Sequence, residues 1–116
     1  MFVQVWLANW MGKLGHPKGE EIDEEAIRFA DRLDETARQE MQAFLDRAEA
    51  AGITVLLVSN ECGLDLTPHA KVSRYYRDTL GRINQDVARR SASVFLMLAG
   101  CAVDIKKLDA QATLLS

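Results

Sequence analysis

The chain holds 116 residues, 48% hydrophobic and 27% charged, with a formal net charge of -3, the balance of one globular domain. No block of Lys and Arg concentrates enough positive charge to track a phosphate backbone, so nucleic acid is not an expected partner. No stretch approaches the roughly 20 consecutive apolar residues of a bilayer span, and "MFVQVWLANWMGKLG" lacks the basic leader and cleavage site of a signal peptide, so a cytoplasmic location is expected.

Residues 3–14 form a short, mostly apolar segment. Its Trp6 and Trp10 share one helix face, a spacing that suits core packing or a subunit contact better than a ligand platform. A loop follows at "GHPKGEE". Over residues 23–51, apolar residues recur at Ala26, Ile27, Ala30, Leu33, Ala37, Met41, Phe44, Leu45 and Ala48, the spacing of a long amphipathic helix. Asp23 can cap its start, acidic residues crowd its first turn, and Gly52 suits the left-handed position beyond its end. Residues 53–58 are apolar except for Thr54 and do not alternate with polar residues, which predicts a strand covered on both faces inside a parallel sheet.

The next helix starts at "LTPHAKVSRYY", with Thr67 as cap and Pro68 as first helical residue. Val72, Tyr76, Leu80, Ile83 and Val87 make its apolar stripe. On the other side, Arg74, Arg77, Asp78, Gly81, Asn84 and Gln85 fall within an arc of about 120°. Gly81 costs about 1 kcal/mol relative to Ala inside a helix, which implies close approach by another element. A second buried strand is expected at "SVFLMLAG", residues 93–100, and a short edge strand within "CAVDIKKL", residues 101–108. Helix, strand, helix, strand points to an α/β sheet in a single domain over residues 1–116.

Ligands of open parallel sheets collect beyond the carboxyl ends of the strands, which is where Ser59, Asn60 and Glu61 stand, with Gly63 allowing a close turn. A solvated turn that caps nearby backbone explains Asn60 and Glu61 equally well from spacing alone. Arg74, Arg77 and Asp78 read either as a solvated ion-pair face or as groups reaching phosphate or a neighbouring subunit. Cys62 and Cys101 belong to no C-x-x-C pair, so neither a metal site nor a disulfide framework is expected, and buried inert thiols are.

The run "VSNECGLDLTPHAKVSRYYRDTLGRINQDVARRSASVFLMLAG" resembles the C-terminal half of the bifunctional adenosylcobinamide kinase / adenosylcobinamide-phosphate guanylyltransferase family of cobalamin biosynthesis. The resemblance is carried in order by Ser59, Asn60, Glu61, Gly63, Pro68, Arg74, Tyr76, Arg77, Asp78, Gly81, Asn84, Gln85 and Gly100. Cys62 stands where the family has Val and Tyr76 where it has Phe. Upstream, "VWLANWM" is similar to the Leu-Trp-Leu-x-Asn segment of the same family, so the likeness covers nearly the whole chain. It implies an α/β fold of the RecA-like P-loop NTPase type, a mostly parallel sheet flanked by helices, here N-terminally truncated. It further implies GTP or ATP with Mg²⁺, adenosylcobinamide as substrate, and a cytoplasmic homotrimer. Asn60, Glu61, Arg74, Arg77 and Asp78 would lie near substrate or nucleotide, while Gly63, Pro68, Gly81, Asn84, Gln85 and Gly100 would be structural.

The family's catalytic parts have no counterpart in these residues. No G-x-x-x-x-G-K-[ST] occurs, since Gly12-Lys13 is followed by Leu14. The family's histidine nucleophile is followed by Arg residues, whereas His16 precedes Pro17 and His69 precedes Ala70. Two functions remain open: the C-terminal part of an enzyme whose N-terminal half comes from elsewhere, or a catalytically inactive remnant that serves as a binding or assembly module.

Overall fold

The computed structural model describes residues 1–15, 24–60 and 71–109, with backbone alone over residues 71–75. Glu61, Cys62, Gly63 and Pro68, and the helix start expected at Thr67, lie outside the described residues. In chain order the elements are α1 (Val3–Leu14), α2 (Glu24–Ala50), α3 (Lys71–Arg90), β1 (Phe95–Leu98), β2 (Cys101–Asp104) and α4 (Ile105–Leu108). They fall into two compact units, Met1–Gln85 and Asp86–Ser116.

The first unit is built on helix packing. Val3, Leu7 and Met11, spaced by four, form the buried stripe of α1, and α2 buries Ala26, Phe29, Leu33, Ala37, Met41 and Ala48. Leu80 and Ile83 add the apolar side chains of α3. The stripe predicted for α2 is present with one exchange: Phe29 is buried, whereas Ile27 is 52% exposed. Helical geometry alone does not choose between them, because Phe29 and Ile27 lie about 80° to either side of the centre of the arc formed by Ala26, Leu33, Ala37, Met41 and Ala48; Phe29 is on the flank that is covered. Helix α2 stops as its sequence indicates. Gly52 adopts φ 67, its amide donates to the Glu49 carbonyl at 3.1 Å, and the Ile53 amide donates to the Ala48 carbonyl at 2.9 Å. That bond pair is the Schellman motif, which satisfies carbonyls the helix itself leaves open.

Residues 53–58 depart from the expectation of a strand covered on both faces. They run extended, yet their pairing is a single parallel bridge between Phe2 and Val58. Ile53 is 63% exposed and Leu56 78% exposed. Only Val55 and Leu57 are half-buried, so the segment turns one face inward and leaves the other uncovered. The bridge nevertheless has the parallel sense that the buried-strand reading requires.

The second unit corrects a second expectation. Residues 93–100 were expected as a buried strand; instead β1 pairs antiparallel with β2, from Phe95 opposite Asp104 to Leu98 opposite Cys101. Ala99 (φ 51) and Gly100 (φ 77) both have positive φ, the conformation of a two-residue type I′ turn, so the chain folds straight back on itself. Phe95, Met97 and Leu98 are all more than half exposed on this hairpin. Cys101 is a free, exposed thiol, where a buried one was expected. The edge strand foreseen within residues 101–108 is realised as β2, after which Asp104 caps α4 by accepting from the Lys107 amide at 3.3 Å. The described residues therefore form an α/β structure whose sheet is two-stranded and antiparallel.

Candidate functional site around Asn84

Asn84 lies on α3, where the sequence places a polar stripe, and its carboxamide is used at both ends. The Ser59 hydroxyl donates to Asn84 Oδ1 at 2.5 Å, and Asn84 Nδ2 donates to the Asn60 carbonyl at 2.9 Å. A single amide can do this because it carries an acceptor and a donor on one rigid plane. The consequence is mechanical: the polar end of the extended segment is tied to the middle of α3 across 24 and 25 residues of chain.

This junction brings together only part of the expected site. Asn60 is exposed and joined to Asn84 through its backbone. Arg77 is half-buried, and Asp78 and Gln85 are exposed, on the same helix. Arg74 belongs to α3, but its side chain lies outside the described residues. Gly81 departs from its expected role, since a Cβ built there would meet nothing within 4 Å. Gly100 serves the hairpin turn.

A second polar cluster, which the sequence reading missed, fixes α3 against α2. Asp34 accepts from Arg82 Nε, from the Thr79 hydroxyl at 3.4 Å and from Arg38 at 3.4 Å. Thr79 is 1% exposed, so its hydroxyl depends on this carboxylate for a partner. Arg38 at i+4 from Asp34 was the only local signal. The other two contacts span 45 and 48 residues and cannot be read from spacing.

The tryptophans meet as their spacing implies, with ring centroids 6.4 Å apart in an edge-to-face arrangement and Lys13 Nζ 4.8 Å from the Trp10 ring. Neither is fully buried, and with Phe44, Glu40 and Arg47 they line an open groove of about 620 Å³. Among the described residues no group of three or more His, Cys, Asp and Glu is placed to hold a metal ion.

Comparison with known proteins gives these features a context. The family model described as "Cobinamide kinase / cobinamide phosphate guanyltransferase" matches residues 2–105. The chain is 31% identical over 74 residues to the bifunctional adenosylcobalamin biosynthesis protein CobU of Escherichia coli strain K12, covering 64% of this chain and 41% of that protein. It is 32% identical over 88 residues to the protein of the same name from Salmonella typhimurium, covering 76% of this chain and 48% of the relative. With the bifunctional adenosylcobalamin biosynthesis protein CobP of Pseudomonas aeruginosa it shares 38% identity over 52 residues, 45% of this chain and 30% of the relative. The matches thus cover less than half the length of each of these relatives. A family match from residue 2 to residue 105, which takes in α1, the Ser59–Asn84 junction and the hairpin, establishes that this chain belongs to the cobinamide kinase / cobinamide phosphate guanyltransferase family.

Proposed function

We propose that this chain works in cobalamin biosynthesis as the C-terminal part of an enzyme that phosphorylates adenosylcobinamide and then transfers GMP to adenosylcobinamide phosphate. In the first reaction the substrate hydroxyl takes the γ-phosphoryl group of GTP or ATP and the nucleoside diphosphate leaves. In the second, the substrate phosphate takes GMP from GTP and pyrophosphate leaves. Catalysis of this kind rests on positioning and on charge neutralisation by a phosphate-binding loop, a lysine and Mg²⁺. The phosphate loop and the histidine have no counterpart in this sequence. These 116 residues alone are therefore proposed to be inactive and to act with the part of the family enzyme that carries them, in a cytoplasmic and homotrimeric assembly.

The observation that carries this reading is the family match over residues 2–105. The Asn84 junction supports it, because Ser59, Asn60 and Asn84 all belong to the run that carries the resemblance and are the residues joined in space. In the completed enzyme the junction would hold Ser59 and Asn60 against α3, and Arg77 and Asp78 would face substrate or a neighbouring subunit.

The test is reconstitution. The purified chain, adenosylcobinamide and Mg-GTP are incubated with and without the part of the Escherichia coli relative that lies outside the match, and products are followed by chromatography. Product is expected only in the mixture. A mixture that stays inactive while an intact family enzyme turns over would overturn the reading in favour of a non-catalytic binding or assembly module.

A further inference from the structure

Helix α2 carries a mixed apolar and charged stripe beside the one it buries. Glu40, Ala43, Phe44 and Arg47 fall within an arc of about 100° that borders the arc Ala37, Met41 and Ala48 turn inward. Ala43 and Phe44 are half-buried, whereas Glu40 and Arg47 are exposed. Neither the Glu40 carboxylate nor the Arg47 guanidinium has a partner among the described residues. Trp6 and Trp10 of α1 line the same groove as Glu40, Phe44 and Arg47, and both rings are half-buried too. Core packing, one of the two roles open to the tryptophans, would have covered them. Aromatic rings and an arginine gathered at one partly open place are the side chains that carry most binding energy in protein interfaces.

Spacing and charge identify the partner. Glu40 and Arg47 stand about 10 Å apart along the axis of α2, with Ala43 and Phe44 midway between them. A stripe with a carboxylate at one end, a guanidinium at the other and an apolar centre is complementary to itself after a half-turn. We propose that a second copy of this chain docks on this groove through an antiparallel α2–α2 contact, with a two-fold axis passing between Ala43 and Phe44. Glu40 of each copy then meets the partner's Arg47, so both charges are paired twice over. The two Phe44 rings meet on the side of the axis where Trp6 and Trp10 line the groove, and the small Ala43 of each copy lets the helices approach on the other side. An unrelated protein would have to match this order of charges by its own sequence, whereas a copy supplies it by symmetry. All these residues lie on α1 and α2 within the first compact unit. The contact goes beyond the proposed function and does not rest on it; combined with a three-fold assembly it would give six copies.

Sedimentation equilibrium of the full chain tests the contact, with tryptophan emission as a second readout. An even number of copies is expected. Trp6 and Trp10 are the two tryptophans of the chain, so emission should move to shorter wavelength as the chain associates. Glu40→Arg and Arg47→Glu each set like charges opposite one another twice, and each should weaken association about ten-fold or more. Both positions are exposed, so neither exchange disturbs the core. The double variant, Glu40→Arg with Arg47→Glu, re-forms both pairs in reversed order and should return to within about three-fold of wild type. An equimolar mixture of the two single variants should form a mixed pair that is tighter than either variant with itself. A chain that stays monomeric at about 0.5 mM overturns the proposal. So do single variants that associate like wild type, a double variant no better than the single ones, or association that leaves the emission unchanged. Three copies would support the proposed homotrimer and overturn the two-fold contact, so the two readings fail separately.

Discussion

Asn84 contributes through geometry, and its replacement tests how much. Asn84→Ala removes two hydrogen bonds and leaves the Asn60 carbonyl and the Ser59 hydroxyl to solvent. Both sit at exposed positions, so the expected loss is about 1–2 kcal/mol in urea unfolding. Asn84→Asp keeps the acceptor for Ser59 and loses the donor to Asn60, and should fall between wild type and Asn84→Ala. A double-mutant cycle with Ser59→Ala should return a coupling of at least about 0.5 kcal/mol, and strict additivity would show that the hydroxyl contributes nothing. Asp34 makes a contrasting case. Its ion pairs with Arg82 and Arg38 are partly exposed and worth about 1 kcal/mol or less together, whereas the buried Thr79 hydroxyl loses its partner outright. Asp34→Ala should therefore cost more than Arg82→Ala, and Thr79→Val should recover part of the loss; equal costs for the first two would place the energy in the ion pair. Asn84 was visible in the sequence as a polar residue on a helix. Its partners were not, because a carboxamide is compatible with solvent, with a turn or with a ligand until the fold supplies neighbours.

At the scale of elements, α2 shows which parts of a helix are fixed locally. Its apolar period and its Gly52 stop were both legible, since each depends on residues within a few positions. The exchange of Ile27 for Phe29 at its beginning was not, because the edge of a buried arc is decided by what packs against it. Leu33→Ala and Met41→Ala should cost about 2–5 kcal/mol, while Ile27→Ala should cost under about 1 kcal/mol, and chemical denaturation distinguishes the two classes. The hairpin illustrates the reverse situation. The apolar run of β1 is equally consistent with a buried parallel strand and with a hairpin arm, and the positive φ of Ala99 and Gly100 selects the second. Gly100→Val should weaken the hairpin by about 1 kcal/mol or more, seen as faster amide exchange at Leu96, whose hydrogen-bonded partner is Val103. Lys106 reinforces the unit by donating to the Ala88 carbonyl at 2.8 Å and to the Ser91 carbonyl, groups that the end of α3 leaves open. Lys106→Met keeps the aliphatic stem and removes both donors, so it should loosen the last turn of α3 by about 1 kcal/mol.

For the whole molecule the decisive consideration is what a phosphate site needs. Triphosphate recognition requires a backbone cradle with a lysine, and the sequence contains no such motif. Calorimetry with Mg-GTP or Mg-ATP and the isolated chain is expected to give no micromolar binding; a micromolar constant for either would place a nucleotide site in residues that resemble none. No described helix is long and apolar enough to cross a membrane. By itself the sequence determined the family, the two long helices and the polar end of the apolar segment at Ser59 and Asn60, because periodicity, helix stops and an ordered run of motif residues are local properties that survive without neighbours. Only the tertiary structure decided that Asn84 closes on that end, that Asp34 joins α2 to α3, and that residues 53–58 leave Ile53 and Leu56 exposed. Those outcomes depend on which distant groups meet, and an apolar strand sequence reads the same whether its ladder is filled or empty.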